Sequence, residues 1–334
     1  MTDTRSDTVS VVERTHPVAA GDAVVGAHFL GHTAAFVLGE EALLLVEPKA
    51  EPHRVTIHSG AILATASNGE RIVSGGDDGK VVATNARGET RTLATDAKHR
   101  WIDHLALGPD EAVAWSAGKT AFVQAKERRE FEAPSTVGGL CFLPKGFRLA
   151  VAHYNGATLW FPNAQQVTPD KLEWKGSHLG VTVSPDGRFL VTTMQEPMLH
   201  GWRLSDGKHM RMSGYAARVT SLGWTASGHW LATSGSTQLI LWPFQSKDGP
   251  MGKQPRLLAP SEHRVAVVAC HPRQEIVATG FSDGMVLLVR VDDGAEILAK
   301  RPGPAPVTAL AWSADGMLLA FGTEAGEAGV VDLA

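Results

Sequence analysis

The sequence predicts an all-β fold, a β-propeller of four-stranded antiparallel blades. Three observations carry that expectation. A ten-residue pattern recurs eight times at a spacing near forty residues. Each copy joins alternating apolar strands through a Pro/Asp/Gly turn. Finally, 35 glycines and 18 prolines among 334 residues interrupt the chain too often for long helices. Taking the fourth residue of each copy as its anchor (Thr33, Gly69, Glu111, Gly146, Gly187, Gly228, Gln274 and Gly316), successive anchors stand 36, 42, 35, 41, 41, 46 and 42 residues apart. Four short strands per unit and a period in this range describe sheets packed radially around a channel.

The units run approximately 22–58, 59–98, 99–135, 136–176, 177–215, 216–262, 263–303 and 304–334, together forming one domain. Unit one holds the most divergent copy, LGHTAAFVLG (30–39). Unit two holds ASNGERIVSG (66–75), and its segment RIVSGGDDGKVVATN (71–85) imitates a phosphate or metal loop. It is neither. The Walker pattern ends Gly-Lys-Ser/Thr, whereas Lys80 is followed by Val81, and the few residues around Asp77 and Asp78 cannot supply the oxygens of a calcium loop. The flanks are β-branched, so Asp-Asp-Gly is a hairpin turn in which Gly79 takes a positive φ cheaply.

Unit three carries a shortened copy, GPDEAVAWSAG, and unit four LPKGFRLAVA (143–152). Unit five shows the pattern best: LGVTV, the turn SPDG, RFLVTT, the turn MQEP, then MLHGWRL and KHMRM. Unit six adds PFQSKDGPMGKQPR (243–256) between its third and fourth strands, a polar Gly/Pro-rich insertion expected to be a mobile loop on the face opposite the turns. In unit seven, GFSDGMVLLV repeats the GGDDG hairpin some two hundred residues on. Unit eight stops after its third strand. VSVVERTH (9–16) is expected to supply the missing outermost strand and close the ring, since an open edge there would invite pairing with other chains. Eight blades follow, with seven as the alternative if unit one is not a full sheet.

These units resemble WD repeats, a family with roughly forty-residue units and a Gly-His and Trp-Asp signature. The tryptophan position is filled by Trp160, Trp202 and Trp242, but no unit keeps the intact Trp-Asp pair, so the resemblance is to degenerate members. It implies a hydrogen-bonded cluster within each blade, made by a turn Asp, a His before the first strand, a Ser/Thr in the second strand and the Trp. Unit two would supply Asp78, His58 and Ser74, with Thr84 in place of Trp. Unit seven would supply Asp283, His263 and Thr279 beside Gly284, with Val289 in place of Trp. Unit five would supply His178, Thr192 and Trp202 without an acid.

Other features narrow the function classes. Net charge is −4 with signs interspersed, giving no basic stripe for nucleic acid. No run approaches the roughly 18 apolar residues that span a bilayer. The first residues lack a signal-peptide core, and only Cys141 and Cys270 are present, both in strand-like runs, so a cytoplasmic protein with buried thiols is expected. GFSDG (280–284) fits the nucleophile-elbow pattern, but strands flank it on both sides where the motif needs a strand and a helix, so Ser282 is read as a turn residue. Fourteen histidines show no HExxH, His-x-His or CxxC spacing, so no metal or cofactor site is expected.

A non-catalytic interaction scaffold is therefore expected, one that binds a protein or peptide on its loop face. The alternative is a propeller enzyme or metal-handling protein with a site at the central channel. Candidate partner-binding residues are His99, Arg100, Trp101, Tyr154, Met194, Met198 and Tyr215, which fall in loops of one face. Among them, Trp101 beside Arg100 is the residue pair that most often anchors an interface.

Overall fold

A computed structural model describes residues 10–164 and 167–334 as thirty strands and one 3-10 turn, Val11–Arg14. All strand pairs are antiparallel neighbours in sequence, save the one that closes the ring. Six sheets have four strands and one has six. Hydrogen bonding thus divides the ring into seven sheets, the alternative number, and not the eight separate blades expected.

The cause lies between units four and five. The strand Leu149–Trp160 turns back on itself at Asn155 and Gly156, whose φ angles are 66° and 140°. Its first half pairs with Gly139–Phe142 and its second with the start of Asp170–Val183. That fourteen-residue strand continues without a connecting loop to become the inner strand of unit five, pairing with Phe189–Met194. The two repeats are both present, each with its own paired strand segments, and are joined into one continuous sheet only through this strand, whose first part pairs with unit four and whose second pairs with unit five.

Closure comes from the N-terminal side, further along than expected. Thr15–Ala19 pairs with Glu327–Asp332 as the outermost strand of unit eight. Val11–Arg14 form the preceding turn, and Val9, the start of the expected strand, lies outside the described residues. On the inner side, Thr308 Oγ1 donates to the Val24 carbonyl, joining unit eight to unit one.

Alternation buries one face of each sheet against the next, so the core lies between sheets. Ala114, Val123 and Ala106 of unit three meet Leu140, Val151 and Trp160 of unit four. Phe189 and Val191 of unit five meet Leu231 and Trp242 of unit six. Trp224 and Trp312 tie neighbours together with polar bonds as well: their indole N–H groups donate to Thr182 Oγ1 at 2.9 Å and to the Ala269 carbonyl at 3.0 Å. The 243–256 insertion packs against unit five. Phe244 is fully buried edge-on to Phe189, while Arg188 donates to the Phe244 and Ser246 carbonyls.

Candidate protein-interaction face

Each unit places two kinds of loop on one face of the ring: the link from its outermost strand to the next unit, and the tip of its middle hairpin. What holds these loops is a set of buried polar clusters. In unit two, His58 Nδ1 donates to Asp78 at 2.9 Å, and the Ser74 hydroxyl bonds Nε2 at 2.8 Å. Burial pushes the Asp78 carboxyl upward, but donors from His58, Ser59 and Lys80 outweigh it and hold the group at about 2. Gly79 completes the turn with φ 74°. In unit five, His178 bonds Thr192 at 2.7 Å and donates to the Trp174 carbonyl at 3.0 Å, so a backbone oxygen stands where unit two has an acid. Its ring lies 5.6 Å from Trp202.

Unit seven departs from the expected cluster. The His263 side chain is 53% exposed and 3.8 Å from Asp283, while Thr279 Oγ1 is buried with no partner. Asp283 instead caps its own turn by accepting from the Met285 amide, and Gly284 sits at φ 83°. The Ser282 hydroxyl accepts from the Arg264 amide, a turn role.

Unit six reveals a substitution that sequence spacing missed. Tyr215, expected on the surface, is buried; its hydroxyl bonds Thr233 at 2.9 Å and accepts from the Trp242 indole at 2.7 Å. It occupies the histidine's place in that unit, and burial raises its phenol to about 12. The recurring Thr–Trp spacing was the only signal available. Unit four is a further variant, with His153 bonded to Thr158 across its hairpin and Trp160 stacked on Phe131.

The remaining partner-binding candidates separate by exposure. Met194 is buried and Met198 half-buried. Arg100 is committed to its own loop: it forms a two-pronged pair with Asp96 at 2.7 and 3.2 Å and donates to the Ala117 carbonyl. The guanidinium in turn holds Asp96 at about 2. These bonds fix the link between units two and three, leaving His99 exposed at φ 50° and Trp101 64% exposed. Tyr154, at the hairpin tip of unit four, is 56% exposed, and its amide is pinned to Ser135 Oγ at 2.9 Å.

A second feature was not legible in the sequence. In five units the inner strand carries a β-bulge at the same place, with Val25, Leu63, Leu179, Ala266 or Thr308 as the extra residue. A bulge re-aims its side chain, and Val25, Leu63 and Leu179 are exposed. Leu179 lines a 720 Å³ cavity together with His28, Thr65, Arg218 and Thr220, residues of four different units, which marks the central channel. His28 bonds Thr65 at 2.8 Å, and burial lowers it to about 4, so it is neutral at pH 7. Among the described residues no three His, Cys, Asp or Glu side chains converge as a metal site. Burial pushes the Cys141 and Cys270 thiols up to about 11 and 12, so both stay protonated.

Comparison with known proteins agrees with this architecture. Residues 208–243 match the family described as WD domain, G-beta repeat. Residues 268–334 match the anaphase-promoting complex subunit 4 WD40 domain. The crystal structure of the computationally designed Ika8 protein superposes with a TM-score of 0.74 over 93% of this chain and 96% of that one, at 16% identity, a likeness of fold alone. With its period, its closed ring of antiparallel sheets and its His–Ser/Thr clusters, the chain is a β-propeller whose units are similar to WD repeats.

Proposed function

We propose that the chain is a non-catalytic cytoplasmic scaffold that binds a protein or peptide partner on the face formed by the inter-unit links and hairpin tips. One observation carries this: Trp101 is largely exposed on a loop that Arg100 and Asp96 hold rigid. An exposed aromatic on a preorganised loop gives large contact area at little entropic cost. Leu179 at the channel, and the exposed bulge residues Val25 and Leu63 at the equivalent places of units one and two, add aliphatic surface. His99, Tyr154 and Met198 lie in links and hairpin tips of this face, while Met194, Tyr215 and Arg100 serve the loops' internal structure.

Trp101→Ala is the test, with Arg100 left intact because it supports the loop. The variant should melt as the parent does and recover at least about tenfold less partner in a quantitative affinity pull-down. Undiminished recovery with normal folding refutes the assignment.

A further inference from the structure

We infer that the outer edge of unit four, where it adjoins unit five, is a second docking groove, built for an extended acidic peptide carrying an aromatic or proline side chain. The proposal rests on the protein-binding reading above and adds the chemistry of a partner.

The groove is a 640 Å³ cleft between the hairpin tip of unit four and its outermost strand, lined by Pro134, Tyr154, Lys171, Trp174 and Lys175 among others. Its shape comes from an irregular ladder. Tyr154 pairs with Ser177 and Gly156 with Glu173, so Trp174, Lys175 and Gly176 together oppose Asn155 alone. The displaced segment is held open: Asn155 accepts from the Gly176 amide at 3.1 Å. Gly156 is required there, because a Cβ would stand 2.1 Å from the Leu172 carbonyl oxygen. The cleft is therefore fixed before any ligand arrives, which lowers the entropy cost of binding.

Two aromatics wall it. Tyr154 is exposed, and Trp174 is half-buried, with its ring stacked on His200 at 4.1 Å and touching His209 at 4.8 Å. Lys171 and Lys175 are exposed, and no ion pair is formed by either among the described residues. Across the Trp174–His209 contact, unit five adds Lys208, His209 and Arg211, also exposed, on the wall of an adjoining 430 Å³ cleft. Glu173 is the one acid lining the first cleft. Asp170 begins the same strand and Glu196 stands beside Gly176, so the four cations Lys171, Lys175, Lys208 and Arg211 outnumber these three acids and leave the edge net positive on a chain of net charge −4. Such a surface steers an acidic segment to it, while the aromatic walls seat its apolar side chain. The narrow aromatic cleft and the absence of a longer basic stripe favour a peptide over nucleic acid.

The test uses the full chain and a fluorescein-labelled twelve-residue peptide of Glu and Asp around a central Pro-Phe pair, titrated by anisotropy. The peptide should bind, more weakly as salt rises. The double charge reversal K171E/K175E, at exposed positions, should weaken it at least about tenfold, as should Tyr154→Ala. Lys145→Glu, on an exposed turn elsewhere, should leave binding unchanged. No binding, equal binding of the same peptide with lysines for acids, tighter binding of a single-stranded dodecathymidine, or indifference to K171E/K175E would each overturn the groove. Trp101→Ala should leave peptide affinity intact. Absence of peptide binding alongside a Trp101-dependent partner would refute the groove while sparing the loop-face reading.

Discussion

The polar cluster of unit two allows a sharp comparison between two buried hydroxyls on neighbouring strands. Ser74 bonds His58 Nε2, whereas Thr84, opposite Ile72 on the adjacent strand, has an Oγ1 buried without any partner. Ser74→Ala deletes the bond, worth about 1 kcal/mol, and strands a buried ring nitrogen at a further cost of about 1 to 2 kcal/mol, a total of roughly 2 to 3 kcal/mol. Thr84→Val replaces an unpaired hydroxyl with a methyl of the same shape and should be neutral or stabilising by about 1 kcal/mol. At about 2.1 cal/mol/K per residue near 60 °C, the chain's unfolding entropy is roughly 0.7 kcal/mol/K, so Ser74→Ala should lower the melting midpoint by about 3 to 4 °C. Differential scanning calorimetry of the two variants against the parent decides it. A shift under about 1 °C for Ser74→Ala, or an equal fall for Thr84→Val, would refute the view that pairing and not burial sets the worth of these hydroxyls.

Three further outcomes follow from the same structure. Burial lowers His28 to about 4 and His200, both of whose ring nitrogens lack partners, to about 3, and it lowers His178 too. Because the unfolded chain binds these protons near pH 6.5, stability should be complete above that pH and fall as pH drops toward 4; His200→Phe, which keeps a ring against Trp174, should soften the fall in midpoint measured by scanning fluorimetry. Asp78 and Asp96, both held at about 2, add a separate loss below roughly pH 3.8. Gly79→Val should cost at least about 1 to 2 kcal/mol in chemical denaturation. Its Cβ would also stand 3.2 Å from the Arg100 carbonyl oxygen, and an unchanged denaturation midpoint would contradict the positive φ. Removing residues 1–19 deletes the strand paired with Glu327–Asp332, and should lower the midpoint by about 5 °C or more; an unaltered midpoint would mean the ring closes without it.

Much of the fold was legible because its causes are local. Alternation, β-branched flanks and Asp-Asp-Gly specify the hairpin at 71–85, and the structure has its strands at Arg71–Gly76 and Lys80–Asn85. The closing strand was legible in kind but not in register, since Thr15–Ala19 is selected by its fit to the far end of the chain. At the candidate site, Trp101 and Tyr154 were visible as aromatics in loops, whereas Met194 and Tyr215 looked equivalent to them and are buried.

By itself, the sequence determined the repeat length, the strand-turn alternation, the fold class and the absence of familiar catalytic spacings, because turn chemistry and side-chain period act over a few residues. Only the tertiary structure decided which sheets merge, where the inner strands bulge, and that Tyr215 bonds Thr233 and Trp242 while His263 stays outside its cluster. Those outcomes depend on distances between residues far apart in the chain, which are fixed only once neighbouring sheets compete to bury the same side chains.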